Sequence, residues 1–525
     1  MPKQLSQKQS SPKKLGFMSC ILVVIGSCIG AGIFFKNASI LGNAWGSIVL
    51  TIICWLVAAT GILCISLALV ELISGCKGTS NLGIGYWVKT FNNRYLYKSC
   101  RNFMVYIYNP ILIISIAYYF FQAIFTAFFP CFSFFVPWWL LALLALILIT
   151  WCFFVSGLST RAFNIQNWIV MCLKFIPLVF AILIGFIFIY FNHGIVDGNS
   201  AWINGNHTPA NKLLSNFSPV LGVIASIPAI MFAFNGFYYP ANMTSQMNEP
   251  KKLPKIMIIG IILVTIIYIL ISVSICLCSK SGDIQGLQSW LDEHKVGFLY
   301  SLMYVLISIG LLSVINGTTV GYVNIAQELI KSKEVVFNER FDKLSNKIHN
   351  KPLPGACYGF IFTFIFFIIC TLIGCFFANS DGIPTPSGKF GGFDTNSTGL
   401  LSFVDLISNW DVMFVICFIG VAILGGMINR KTNKVKVTKN KMFLPTAIVS
   451  VTFVGISLLY MVVAQFVDLG IVAVANKNIW NMNAENSNQW NIDLITQILG
   501  IVMLLIYSGV AFIPSLISEK SIKQA

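Results

Sequence analysis

Three features of this chain have residue types and spacings that could do chemistry, and each lies inside an otherwise apolar stretch. The first is Gly26-Ser27-Cys28-Ile29-Gly30-Ala31-Gly32, which interrupts a hydrophobic segment running from Phe17 to Ile40. Glycine lowers helix propensity and frees backbone amides and carbonyls; in lipid such groups persist only where protein, water or a bound molecule satisfies them. The second is Met231-Phe232-Ala233-Phe234-Asn235-Gly236-Phe237-Tyr238-Tyr239-Pro240, with Pro228 a further interruption upstream. The third is Lys174, an ammonium group inside the apolar stretch 164–190. A lysine near mid-membrane costs at least ~2.5 kcal/mol on insertion scales, so it must face a polar interior, and groups at that depth usually mark ion or proton pathways. Taken singly, the breaks have structural explanations: Gly26 and Gly30 form a G-x-x-x-G packing motif, and Pro228 with Gly236 makes a kink that neighbours compensate. Together with Lys174 they describe a polar binding site lined by broken helices.

The elements that must position these residues are helices. The chain has 525 residues, 57% apolar and 10% charged, with many apolar runs of about 20 residues, the length that crosses ~30 Å of hydrocarbon at 1.5 Å per residue. Hydropathy predicts an all-α polytopic membrane protein with twelve transmembrane helices at 17–40, 45–73, 103–129, 136–158, 164–190, 219–247, 255–279, 297–330, 356–378, 402–428, 443–467 and 492–516. Residues 1–16 are polar, and the apolar segment after them is too long and lacks a small-residue cleavage site, so no removable signal peptide is expected. The interrupted spans are the first and the sixth. In transporters built from two five-helix repeats of opposite topology, the first helix of each repeat is the discontinuous one. The spacing therefore predicts an inverted repeat: 17–190 as the first five helices, 219–428 as the second, then two extra C-terminal helices over 443–516, with tails at 1–16 and 517–525.

The net charge of +16 is placed for a membrane and not for nucleic acid. Lysines and arginines assigned to alternate loops fall 27 on one side and 6 on the other, which by the positive-inside rule puts both termini in the cytoplasm. Basic clusters from Lys331 to Lys351 and Arg430 to Lys441 read as topology determinants and anionic-lipid contacts. Fifteen cysteines, odd in number and mostly within spans, indicate packing and no disulfide framework. The four histidines lack metal-ligand spacing, and the spans hold no clustered acids or nucleophile–base pairs, which argues against a membrane-embedded enzyme. Glu71 and Glu328, at the ends of spans two and eight, are expected to pair with the basic loops. Asn109-Pro110 and Asn316-Gly317 either adjust helix geometry or face the pathway, and 379–398 reads as a flexible outer connection.

At the two breaks the sequence resembles the amino acid, polyamine and organocation (APC) transporter superfamily, especially its bacterial amino acid permeases. Gly26-Ser27-Cys28-Ile29-Gly30-Ala31-Gly32-Ile33-Phe34 is similar to the first-helix pattern of that family, Phe232-Ala233-Phe234-Asn235-Gly236-Phe237 to its sixth-helix pattern, and Asn248-Glu249-Pro250-Lys251-Lys252-Leu253-Pro254-Lys255 to the turn that follows. The resemblance implies the LeuT-like 5+5 inverted-repeat fold. It also implies a site in which the half-helix starting near Ala31 aims free N–H groups and its positive dipole end at an amino acid carboxylate. Gly30, Ala31 and Gly32 would hold that carboxylate, and carbonyls near Cys28, Phe232 and Asn235 would accept from the substrate ammonium. Selection among amino acids would fall to Phe232, Phe234, Asn235 and Tyr238 beside Gly236, with Phe232 at the position of an aromatic gate. Tyr238 departs from the pattern, because many relatives carry an acid there.

Lys174 matches a fifth-helix lysine of proton-coupled members, whose ammonium takes the place of sodium in sodium-coupled relatives. The expected contacts are a carbonyl around Gly26 and a hydroxyl on span eight, for which Ser313 is the candidate. The expectation is a secondary active transporter that imports amino acids across the plasma membrane by alternating access. It uses proton symport, with the proton gradient as driving force and no cofactor or metal. Its partners are the substrate, protons and the bilayer. Exchange is the alternative mode, and a non-transporting amino acid sensor is the alternative class.

Overall fold

The computed structural model describes residues 16–30, 32–76, 83–130, 134–159, 166, 170, 173–202, 213–239, 247–335, 352–376, 392–475 and 484–524. Helices α1 (Phe17–Cys28) and α2 (Gly32–Asn43) are the two halves of one span, bent by 58° at the glycine break. After α3 (Ile48–Gly75), a short α4 (Ile84–Phe91) leads into α5 (Arg94–Phe103), which continues through a π-helical turn, Met104–Tyr108, into α6 (Asn109–Phe128). Then come α7 (Trp138–Trp151), α8 (Phe175–Asn192), α9 (Pro219–Ala225), α10 (Ile227–Ala233) and α11 (Leu253–Cys278). The remainder is α12 (Gln288–Glu293), α13 (Phe298–Lys331), α14 (Leu353–Phe376), α15 (Thr395–Thr432), α16 (Phe443–Ala475) and α17 (Ala484–Gln524). The strand segments are β1 (Phe135–Val136) and β2 (Gly392–Phe393), paired in parallel.

Ten of these helices are long and apolar enough to cross a membrane among the described residues, and the bent α1–α2 pair makes eleven. At the expected sixth span, the apolar helix Pro219–Ala233 is described and its continuation over 240–246 lies outside the described residues. Two of the boundaries that differ from the hydropathy reading have a plain physical reason. The third span runs from Arg94 to Phe128, not from residue 103, because α5 is amphipathic: Arg94, Lys98 and Arg101 share one face at helical spacing while Tyr97, Cys100 and Phe103 are buried. The tenth starts at Thr395, where Asp394 caps it by accepting from Ser397 N–H at 2.6 Å. The end of the supposed flexible connection is therefore ordered: Gly392 and Phe393 form β2, and Thr395 to Thr398 belong to a helix.

The two Asn motifs prove to be internal fittings. Pro110 has no N–H, so the i→i−4 ladder cannot run through it; the π turn before it absorbs the mismatch, with Asn109 Nδ2 donating to Met104 O at 2.5 Å. Asn316 is buried, donates to Gln166 Oε1 at 2.8 Å and accepts from Ser156 Oγ at 3.0 Å. Glu71 pairs with a basic loop as its position suggests: Arg430 donates to it from Nε at 2.6 Å and Nη2 at 2.5 Å, and Asn440 N–H adds a third bond at 2.7 Å. A nearly buried carboxylate at a helix end is thereby satisfied by a fork of donors, locking α3 to the end of α15.

α15 is the central helix and is buried along most of its length. α8, α16 and α17 are peripheral and present apolar side chains outward, among them Val179, Leu459 and Leu505, as lipid-facing surfaces must. The central position of α15 holds it against α10, α6 and α3 at once, next to both helix breaks.

Candidate functional site

The chain stops being helical at the first break because its glycines supply no side-chain packing to hold the turn. α1 ends at Cys28, Ile29 is extended (φ −72°, ψ 101°), and α2 resumes at Gly32. At the second break α10 ends at Ala233, and residues 234–238 form turns in which Gly236 has φ +104°. The two breaks touch. A Cβ on Gly32 would sit 2.7 Å from Ala233 Cα, and one on Gly236 would sit 2.6 Å from Ser27 O. These distances require a bare backbone at both positions, and Gly236 also occupies the region of φ that glycine alone enters without strain.

Between the breaks lies a cavity of about 60 Å³. Ser27, Cys28, Gly30 and Gly32 line it from the first break and Phe232, Ala233, Asn235 and Tyr239 from the second. Leu112, Ile116 and Tyr119 of α6 and Leu311, Val314 and Thr318 of α13 complete the wall. The first turn of α2 faces this space, and the leading N–H groups of a helix have no intrahelical acceptors. Asn235 Oδ1 accepts from Tyr108 hydroxyl at 3.1 Å, which directs the Asn235 side-chain NH₂ elsewhere.

Of the residues singled out from the sequence, Cys28, Gly30, Gly32, Phe232 and Asn235 are brought together in this wall, with Gly236 at its back. Ala31 lies outside the described residues. Phe234 and Tyr238 are placed behind the wall. Phe234 is fully buried against Trp55 and Tyr268. Tyr238 has its hydroxyl 2.8 Å from that of Tyr108 and its ring edge-on to Trp87. Both support the turn, whereas Tyr239, the next residue, lines the cavity.

Two of the carbonyls expected to face the site, Cys28 O and Phe232 O, have partners. Tyr268 of α11 places its hydroxyl 2.7 Å from Cys28 O and 2.9 Å from Ala233 O, so one donor serves the terminal carbonyls of both broken helices. Phe232 O accepts from Asn235 N–H at 3.1 Å. Each carbonyl oxygen retains a second lone pair. Tyr268 carries no local sequence signal that distinguishes it from a packing tyrosine.

Lys174 is buried just before α8 and donates from Nζ to Gly26 O at 2.7 Å. Ser313 is on α13, as supposed. On that helix Gly310, three residues earlier, faces the lysine, and a Cβ there would sit 3.8 Å from Lys174 Cβ. The missing side chain at 310 makes room for the lysine stem.

A second buried lysine lies within the first expected span, 17–40, although the count of loop charges takes it among the six outer cations. Lys36 lies in α2, has no exposed surface, and donates to Asp405 Oδ1 at 2.5 Å and Ser408 Oγ at 2.9 Å, both on α15. Its Nζ is 4.6 Å from the centre of the Phe232 ring. Tyr119 donates to the same Asp405 oxygen at 3.0 Å and stacks on Phe35 with ring centres 4.8 Å apart. The pair thus joins α2 to α15 directly against two cavity-lining aromatics. Lys36 is a charged residue within the first apolar span, and an in-span charge is the sequence signal that marks it. The same holds for Asp411 of α15, which is fully buried with neither carboxyl oxygen hydrogen-bonded among the described residues.

Two broken helices crossing at a backbone-lined cavity within a bundle of membrane-length helices define a transporter of the LeuT-like fold. A solved mutant form of a manganese transporter of Eremococcus coleocola has this fold over 98% of the chain and 96% of its own, with a TM-score of 0.53 at 15% identity. The chain belongs to the amino acid permease family, whose model matches residues 15–504, and so to the APC superfamily. It is 31% identical over 546 residues to an uncharacterized protein of Mycoplasma pneumoniae, covering 98% of this chain and 95% of that one. It is also 22% identical to the serine/threonine exchanger SteT of Bacillus subtilis over 62% of this chain and 70% of that protein. The protein is therefore a multi-span membrane protein of an amino acid transporter family.

Proposed function

We propose that this protein imports small neutral amino acids across the plasma membrane by alternating access, coupled to protons, with both termini in the cytoplasm. The observation that carries the reading is the hydrogen bond from buried Lys174 to Gly26 O, in the last turn of α1 before the break. In this reading Gly30, Ala31 and Gly32 hold the substrate carboxylate at the α2 N-terminus. The second lone pairs of Cys28 O and Phe232 O receive its ammonium. Protonated Lys174 holds α1 in one orientation, and loss of the proton frees it. The force is the proton gradient, with no cofactor. The repeats 17–190 and 219–428 contribute one broken helix each to the site.

Cavity chemistry supports the substrate class. None of the lining residues carries a formal charge, so a charged side chain would be left unpaired in a low-dielectric site. Since one water needs roughly 10–15 Å³ on this measure, the cavity has room for only a handful of heavy atoms. The polar groups Ser27, Asn235 and Thr318 would suit a hydroxyl-bearing side chain, and SteT is a serine/threonine exchanger by name. That name is also the observation favouring exchange as a second mode.

The test is uptake of a panel of radiolabelled amino acids into proteoliposomes, with and without an imposed pH gradient. Symport is expected to give uptake that follows the gradient, and Lys174→Ala is expected to lose that dependence. Gradient-driven uptake unchanged in Lys174→Ala would refute the role. Uptake that requires amino acid inside the vesicle would establish exchange, and binding without flux would indicate a sensor.

A further inference from the structure

A second cavity lies well away from the one between the broken helices. It has a volume of about 730 Å³ and lies where α5, the end of α13 and the end of α17 meet, on the side of the bundle that bears the basic loops. Its wall carries five cationic side chains, Lys89, Arg94, Lys98, Arg101 and Lys333, and one carboxylate, Glu334. That carboxylate is already committed: Lys89 Nζ donates to Oε1 at 2.8 Å, Tyr97 hydroxyl to Oε2 at 2.5 Å, and Arg101 Nη1 stands 3.5 Å from Oε2. The excess positive charge is built into the fold. Arg94, Lys98 and Arg101 fall at i, i+4 and i+7 on α5, so one helix face delivers all three, and the turn after α13 brings Lys333 opposite them.

We propose that this cavity binds the phosphate-bearing headgroup of an anionic phospholipid. Phosphate is the matching chemistry, because arginine forks and lysine ammonium groups both recognise its oxygens. The volume falls in the ~300–1,000 Å³ range of ligand pockets. The lipid origin follows from the third wall. Pro514 and Ser515 line the cavity, and the neighbouring side chains of the same helix, Ile513, Leu516 and Ile517, are exposed and apolar. Acyl chains can lie along that surface while the headgroup enters the basic slot. A contact already ties α5 to this wall, where Asn102 Nδ2 donates to Ser515 Oγ at 3.3 Å. A headgroup held by Arg94 and Lys333 would add a bridge between α5 and the end of α13, next to peripheral α17.

The test uses the full-length protein purified in detergent, with bound lipid counted by native mass spectrometry and thermal unfolding followed in parallel. Phosphatidylglycerol is expected to be retained and to raise the unfolding temperature, and phosphatidylcholine is not. In Arg94→Gln/Lys333→Gln, two exposed side chains are neutralised, and phosphatidylglycerol binding is expected to fall about tenfold or more, given the contribution of each basic residue near anionic lipid. Lys251→Gln/Lys255→Gln makes the same charge change at two exposed lysines outside the cavity and outside both basic clusters, and is expected to retain binding. Equal loss in both double variants would overturn the site in favour of general surface charge. Inorganic phosphate that protects wild type as well as the lipid does, and fails in Arg94→Gln/Lys333→Gln, would overturn the lipid assignment in favour of a soluble phosphate compound.

Discussion

The Lys36–Asp405 pair makes an asymmetric prediction. Both residues take part in one ion pair at 2.5 Å, but Lys36 has no exposed surface whereas the Asp405 side chain is 35% exposed. Removing Asp405 charge leaves an ammonium in a dry site with Ser408 Oγ at 2.9 Å and the backbone O of residue 405 at 3.3 Å as its remaining acceptors. Stranding a buried charge in this way costs about 3–5 kcal/mol. Removing the lysine leaves a carboxylate that water reaches and that Tyr119 still serves at 3.0 Å, so the loss is closer to the ~1 kcal/mol typical of a solvated pair. Asp405→Asn is therefore expected to destabilise severely and Lys36→Met mildly. The double variant is expected to recover most of the Asp405→Asn loss, because no buried charge remains in it. The assay is thermal unfolding of the three variants and wild type in one detergent, monitored by tryptophan fluorescence and treated as a double-mutant cycle. Equal losses in the two single variants, or Lys36→Met the worse of them, would refute the reasoning that burial of the ammonium sets the cost.

Three further outcomes follow from the geometry. Gly236→Ala places a Cβ 2.6 Å from Ser27 O at φ +104°, which is expected to cost about 1–3 kcal/mol in backbone strain and to abolish uptake while the protein still reaches the membrane, as checked by surface labelling. Tyr268→Phe removes the hydroxyl shared by Cys28 O and Ala233 O; a loss of about 1–3 kcal/mol in stability is expected, with a larger drop in transport rate than in apparent affinity if the tyrosine holds the crossing and does not touch substrate. At Glu334, burial pushes the carboxyl up, but bonds from Lys89 and Tyr97 and the nearby Arg101 outweigh it and hold the group below its ordinary 4.5. A depressed folded value contributes stability that is complete above the unfolded value and is lost as pH falls through the folded one. Wild type should thus lose its advantage over Glu334→Gln only on acidification below about pH 4.5, in unfolding curves taken from pH 3 to 7; an advantage that disappears above pH 6 would contradict this.

The two helix breaks were legible because they are chemical exceptions in their own neighbourhoods. Glycines at 26, 30 and 32 and the Asn235-Gly236 turn stand out in apolar runs, and lipid tolerates free backbone there only for a reason. Lys174 was legible on the same ground, and its bond to Gly26 O was anticipated because both ends were visible anomalies. For Ser313, choosing one hydroxyl on a helix needs the rotation of that helix, which composition does not carry; Gly310, one turn before it, does face the lysine.

Sequence by itself determined the class of this protein: a bundle of apolar helices, basic loops alternating with neutral ones, and broken first and sixth spans, all of which follow from local composition and periodicity. Tertiary structure decided which polar groups meet. Lys36 and Asp405 are 369 positions apart, and Tyr268 reaches Cys28 O across 240. It also turned Phe234 and Tyr238 away from the cavity and Tyr239 toward it. The physical reason is that hydropathy records whether a residue avoids water, whereas pairing inside the membrane depends on helix rotation and depth, which are set by packing between helices far apart in the chain.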